Sequence, residues 1–176
     1  MFARIAAFEA RLQLRSPLFF IAFALFFLLV FGSVTIDQIQ IGARGNVNIN
    51  SPFAMLQTLG IMNVFAIFVV VAFVANVIVR DDETGFAPIL RSTRVGKFDY
   101  LAGRFVGALL VAFLVMSSVP LAILIGSAMP WLDPAKIGPF VASHYLYAVF
   151  VFGLPTLLVV GAMFFALATA TRSMMW

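Results

Sequence analysis

The sequence predicts an all-α fold: a polytopic membrane bundle of four transmembrane helices, with both termini in the cytoplasm and an interfacial amphipathic helix in front. Three observations predict it. Hydrophobic residues fill 64% of 176 positions, charged residues only 10%, and phenylalanine appears 21 times, well beyond what a soluble core of this size requires. Four apolar stretches, 18–36, 59–79, 105–129 and 145–171, approach or exceed the roughly 20 helical residues that cross a bilayer core about 30 Å thick. None shows the period-two alternation of a barrel strand, so helices that satisfy their own backbone hydrogen bonds are expected. Finally, lysine and arginine are unevenly shared among the connections: residues 1–17, 80–104 and the last few positions carry nine of the eleven, leaving Arg44 and Lys136 for the other two. That bias sets the orientation.

The opening stretch, residues 1–16, reads MFARIAAFEARLQLRS. As a helix at 100° per residue it places Arg4, Arg11 and Arg15 within about 40° of one another, beside a broader arc of Phe2, Ile5, Phe8 and Leu12. Such a helix lies in the membrane interface, its arginines toward anionic headgroups and its apolar side in the acyl boundary, until Ser16-Pro17 breaks it. The plainer alternative is a first span that begins early with positive flanking residues; Glu9 beside the apolar arc speaks for that view. The span at 18–36 is too long for a secretion signal and is expected to stay in the membrane.

The connection at 37–58 is polar, rich in Asn and Gln and interrupted by Gly42, Gly45 and Pro52, so an ordered loop or short extended segment is expected. The connection at 130–144 has three prolines within PWLDPAKIGP and predicts a rigid turn. Trp131, Tyr145 and Tyr147 suit the outer interface, Tyr100 and Trp176 the inner one. Within the spans, Asn63 and Asn76 are thirteen residues apart on different faces; interhelical hydrogen bonds are the expected role, lining a substrate path the alternative. Ser117, Ser118, Pro120 and Pro155 mark expected kinks. Gly103 and Gly107, and the series Ala162, Ala166, Ala170, offer small-residue ridges for close helix approach.

Enzyme chemistry finds no support, and no catalytic, cofactor or metal residue is assigned. There is no phosphate-binding glycine loop, no dinucleotide turn, no cysteine, and one histidine, His144, which cannot form a paired zinc site. The net charge of +4 is a topology signal and does not point to nucleic acid.

The segment 80–104 is the anomaly, holding nine of the chain's eighteen charged side chains. Asp81, Asp82 and Glu83 stand where a cytoplasmic helix would start, favourable to its dipole; Phe86, Ile89 and Leu90 follow at helical spacing; then come Arg91, Arg94 and Lys97 around Gly96. Reconnecting two helices takes only a few residues. About 24 with an apolar face and ordered polarity predict a docking surface for a soluble partner, against the simpler view that the loop only fixes topology.

These residues also resemble the membrane subunits of ABC-2 type transporters, in the order amphipathic helix, span, polar outer loop, span, then RDDETGFAPILRSTRVGKFDYLAGRF. Glu83, Gly85, Ile89-Leu90, Ser92-Thr93 and Tyr100-Leu101-Ala102-Gly103-Arg104 match that family's cytoplasmic segment; Arg94 where proline is common, Pro88, and Arg104 in place of lysine depart from it. The outer GNVNINSPFA further resembles bacterial members fused to an M1 aminopeptidase-like domain. The resemblance implies a coupling helix from about 81 to 93 that meets a separate ABC ATPase subunit in trans through Asp82, Glu83, Gly85, Phe86, Ile89, Leu90 and Arg91. It also implies a connecting helix at 1–15, a homo- or heterodimer of permease chains in the bacterial inner (plasma) membrane, and an amphipathic or lipid-like cargo. Family members usually have six spans, so further helices beyond residue 176 are expected. The alternative is a four-helix membrane scaffold or regulator without transport of its own.

Overall fold

The computed structural model describes residues 1–36, 41, 47–75, 77 and 96–171, and they are helical almost throughout, with no strand among them. We number the helices α1 (Phe2–Leu14), α2 (Pro17–Thr35), α3 (Pro52–Val70, running into a π-helical turn Val71–Ala75), α4 (Lys97–Ser127), α5 (Ala142–Tyr147) and α6 (Leu154–Thr171). A second π-helical turn, Ala148–Gly153, joins α5 to α6. Among the described residues, four stretches are long and apolar enough to cross a membrane: Pro17–Thr35, Pro52–Ala75, Phe98–Ser127 and Ala142–Ala170.

The predicted spans are all present, but two begin seven or eight residues earlier than the apolar runs alone imply. α3 starts at Pro52, seven residues before the expected 59, because start signals outweigh polarity there. Ser51 Oγ accepts from the Ala54 amide at 3.2 Å, with proline at the first helical position, and Thr58 hides its hydroxyl by donating to the Ala54 carbonyl at 2.8 Å. α4 starts at Lys97, eight residues before the expected 105, with Asp99 in its first turn, where a carboxylate suits the helix dipole. Residues 97–104 are therefore helical and not part of a connecting loop.

Both expected proline kinks lie in helix. α4 runs through Pro120, and Ser118 Oγ, fully buried, donates to the Val115 carbonyl at 2.6 Å. Pro155 follows the Ala148–Gly153 π turn; widening the turn ahead of a proline makes room for its ring, which would clash with the carbonyl four residues back.

Contacts group the chain into two compact units. The first comprises Met1–Phe20, Ile67–Phe113 and Leu157–Trp176. Its interior is built from Val70 and Val74 of the α3 end, Ala108 and Val111 of α4, and Leu157 of α6, each at most 1% exposed. α6 lays Ala168 against Ala75, with Val71, Leu101 and Phe164 around them, and the Phe105 and Phe165 rings meet at 5.1 Å. The expected Ala162, Ala166, Ala170 ridge is corrected here: these alanines are exposed, and Gly161 and Ala168 are the small residues that face inward.

The second unit comprises Ile21–Ala66 and Leu114–Thr156. Val30 of α2, Met55, Leu59 and Met62 of α3, and Val115 and Val119 of α4 are among its buried residues. Along α2, Phe23, Phe27 and Phe31 stack at successive i, i+4 positions, with centroids 6.5 and 5.8 Å apart. In both units large apolar side chains also stand outside, Phe20 and Phe68 in the first and Ile21 and Val64 in the second, Phe68 being 72% exposed. Such surfaces are untenable for a monomer in water and ordinary against lipid.

Candidate functional site

α1 is where sequence and structure differ most usefully. Its alanines favour helix, and it is capped at Arg15, just before Ser16 and Pro17 start the next helix; the Leu18 amide donates to Ser16 Oγ at 3.3 Å. The buried residues of α1 are Ala6, Glu9 and Gln13, one stripe centred about 170° from the mean direction of Arg4, Arg11 and Arg15 at 100° per residue. Those three arginines are exposed, as are Phe2, Phe8 and Leu12. The helix thus has three sides: a packed one, an apolar exposed one and a cationic one.

The packed side meets α4 across Gly103 and Gly107. A Cβ on Gly107 would lie 2.6 Å from the Ala6 carbonyl oxygen and 2.8 Å from Glu9 Cβ; one on Gly103 would lie 2.9 Å from Ile5 Cβ. Only glycine permits this approach, which lets backbone rest on backbone. The closeness delivers Glu9 to Arg104, and the two form an ion pair with side chains 0% and 6% exposed. Arg104 also lies under the face of Tyr100, one turn back, 5.4 Å from the ring centroid, within cation–π range.

Gln13 completes the node. Its Nε2 donates to Glu9 Oε1 at 2.6 Å and to the Phe73 carbonyl at 3.0 Å. Phe73 sits in the π turn Val71–Ala75, where the wider hydrogen-bond register disturbs the regular ladder. Gln13 Oε1 is buried without a hydrogen-bond partner. A looser contact joins the α-amino group of Met1 to Asp99 Oδ2 at 3.7 Å, both well exposed and so worth little.

Of the residues singled out in the sequence, Arg4, Arg11 and Arg15 share one exposed face. Asp82, Glu83, Gly85, Phe86, Ile89, Leu90, Arg91 and Asn76 lie outside the described residues. Asn63 departs from expectation: neither atom of its amide has a hydrogen-bond partner, although both are buried. Sequence reasoning passed over Glu9, Gln13 and the pairing of Arg104. The signal was there: a carboxylate inside an apolar arc, a glutamine four residues on, and an arginine one position past Gly103 at the edge of an apolar run. Among the described residues, no group of three or more His, Asp or Glu could hold a metal ion.

In the second unit, Asn50 ties two connections together. Its Oδ1 accepts from the Gly138 amide and its Nδ2 donates to the Gly138 carbonyl, both at 2.7 Å, while the Ile49 amide donates to the Lys136 carbonyl at 3.0 Å. The side-chain amide thus pairs with a backbone as a strand would. A Cβ on Gly138 would lie 2.6 Å from Asn48 Nδ2, so a side chain there requires Asn48 to move. Asp133 Oδ1 accepts from Ala135 at 3.0 Å and starts the short Pro134–Lys136 turn, giving the proline-rich connection the rigidity its composition predicts.

Four long apolar helices, lipid-compatible exterior faces and a buried ion pair define the class: a multi-pass α-helical membrane protein. No family model matches the chain, and neither does any curated protein or solved structure.

Proposed function

We propose that the chain is the permease subunit of an ATP-driven transporter of the ABC-2 type, set in the inner membrane and energised by a separate ATPase subunit that docks on the cytoplasmic segment between α3 and α4. One observation carries this reading. α1 grips both flanks of that segment, at Phe73 through Gln13 and at Arg104 through Glu9. A force applied between residues 78 and 95 therefore reaches α1, α3 and α4 together, and the amphipathic docking pattern of Asp82 to Arg91 stands at the point of application. Cargo moved by a dimer of such chains would be amphipathic or lipid-like, since no span carries an ionisable residue at its middle.

The test is association. Gly85→Glu and Leu90→Glu together should abolish co-purification with an ATPase encoded beside this chain and carrying a phosphate-binding loop. The substitutions should leave the permease monodisperse. Co-purification that survives them, or the absence of any such partner, would favour a four-helix scaffold or regulator instead.

A further inference from the structure

We infer that α1 is a releasable latch, with the Glu9–Arg104 pair as its ionic catch and the Val71–Ala75 π turn as the element it holds. This concerns the docking of α1 itself and stands whether or not the chain transports anything.

Three observations carry it. First, the catch is ionic where apolar residues would serve stability as well. Burying a carboxylate and a guanidinium forfeits their hydration, and their mutual attraction returns little beyond that loss. When α1 lifts, both charges regain water, so release is cheap compared with lifting an equally large apolar contact. Second, the docked state leaves one acceptor without a protein donor: Gln13 Oε1 is buried with no hydrogen-bond partner among the protein groups, and undocking exposes it to solvent. Third, the same glutamine donates to the Phe73 carbonyl within the π turn. Undocking withdraws that donor from the turn, and the local register is then free to return toward an α-helical ladder. Docking of α1 and the shape of α3 are thereby coupled.

The mechanical arrangement suits a latch. α1 ends at Leu14 and α2 begins at Pro17, leaving two residues as a hinge. The contact surface across Gly103 and Gly107 is smooth, with backbone against backbone, so α1 can lift as a rigid rod without unthreading interlocked side chains.

The native chain has no cysteine, so single reporters are clean. Ala6→Cys reports the packed face, Ala7→Cys the exposed face next to it, and Ala112→Cys, at a position 0% exposed in α4, reports global unfolding. Each is reacted with a maleimide–polyethylene glycol on purified protein in phosphatidylcholine/phosphatidylglycerol nanodiscs. Ala6→Cys should label measurably, but more slowly than Ala7→Cys. Glu9→Gln, which removes the carboxylate from beside the buried Arg104, should accelerate Ala6→Cys labelling about tenfold or more, while Ala112→Cys stays protected. The double substitution Glu9→Leu with Arg104→Met should slow Ala6→Cys below its rate with the native pair. The inference is overturned if Ala6→Cys labels as fast as Ala7→Cys in the native background, or does not label at all there. It is equally overturned if Glu9→Gln leaves the rate unchanged, if Ala112→Cys accelerates in step, or if the apolar pair fails to slow labelling. None of these readouts involves an ATPase, so they leave the proposed transport function to its own test.

Discussion

At the scale of the residue, the Glu9–Arg104 pair shows how burial changes the meaning of a charge. In the sequence, Glu9 is a blemish on an amphipathic helix; in the fold its side chain has no exposed surface and pairs with Arg104. Removing either partner takes the countercharge from the other at a buried site, at a cost of about 3–5 kcal/mol, whereas replacing both with apolar side chains of similar volume is often neutral. Glu9→Ala should therefore lower the thermal midpoint in detergent by far more than the double Glu9→Leu/Arg104→Met, a comparison read directly by fluorescence-monitored melting. Asn50 follows a different rule because its partners are backbone groups. Asn50→Ala leaves the Gly138 amide and carbonyl without their mates and should cost about 1–3 kcal/mol if they stay shielded from water. Gly138→Ala strikes the same clamp from the other side, by driving a methyl group into Asn48. Limited proteolysis after Lys136 should be faster in both variants than in the native chain.

At the scale of the element, α1 is defined by its three sides, and each can be removed separately. Gly107→Leu places bulk where only 2.6 Å separates a Cβ from the Ala6 carbonyl oxygen. It should lift the helix without altering a charge, so resistance of α1 to proteolysis after Arg11 should fall. Replacing Arg4, Arg11 and Arg15 with glutamine leaves the packed stripe intact and should weaken only the association of a synthetic 1–16 peptide with anionic vesicles, by about 1 kcal/mol per arginine at low salt. These two variants also show how far the sequence could be read. Helix existence, apolar character and the arginine stripe were legible because each depends on periodicity within one segment. The packed face was not, because it depends on α4: Gly103 and Gly107 announced a smooth surface without saying which helix would use it. The alanine series of α6 carried the same small-residue signal and faces outward instead. Asn63 shows the same limit, since its polarity was visible and its lack of a hydrogen-bond partner was not. The early starts of α3 and α4 were missed for another reason, since hydropathy weighs side chains and ignores the capping at Ser51 and the dipole-favoured Asp99 that extend the helices.

At the scale of the whole molecule, the controlling quantity is the distribution of eleven cationic side chains over the connections. Everything proposed for the 78–95 segment requires that it face the cytoplasm, where an ATPase could reach it, and that requirement rests on the positive-inside bias. Two sites allow a clean test in a chain that lacks cysteine. Gly96 is exposed, and a Cβ there meets nothing within 4 Å; Ala135 is exposed in the short turn that follows Asp133. Both can carry a cysteine without disturbing helix packing. In intact cells a membrane-impermeant maleimide should modify Ala135→Cys and spare Gly96→Cys. In inside-out vesicles the preference should reverse. The charge count decides the sign: three arginines in residues 1–17 and five cations in 80–104 outweigh the single cations Arg44 and Lys136, and at the insertion stage that asymmetry selects which connections stay behind. Labelling of Gly96→Cys from outside intact cells would place the acidic cluster and its apolar neighbours beyond reach of any ATP-consuming partner. The grip of α1 on Phe73 and Arg104 would then belong to a membrane protein driven from another side, or not driven at all.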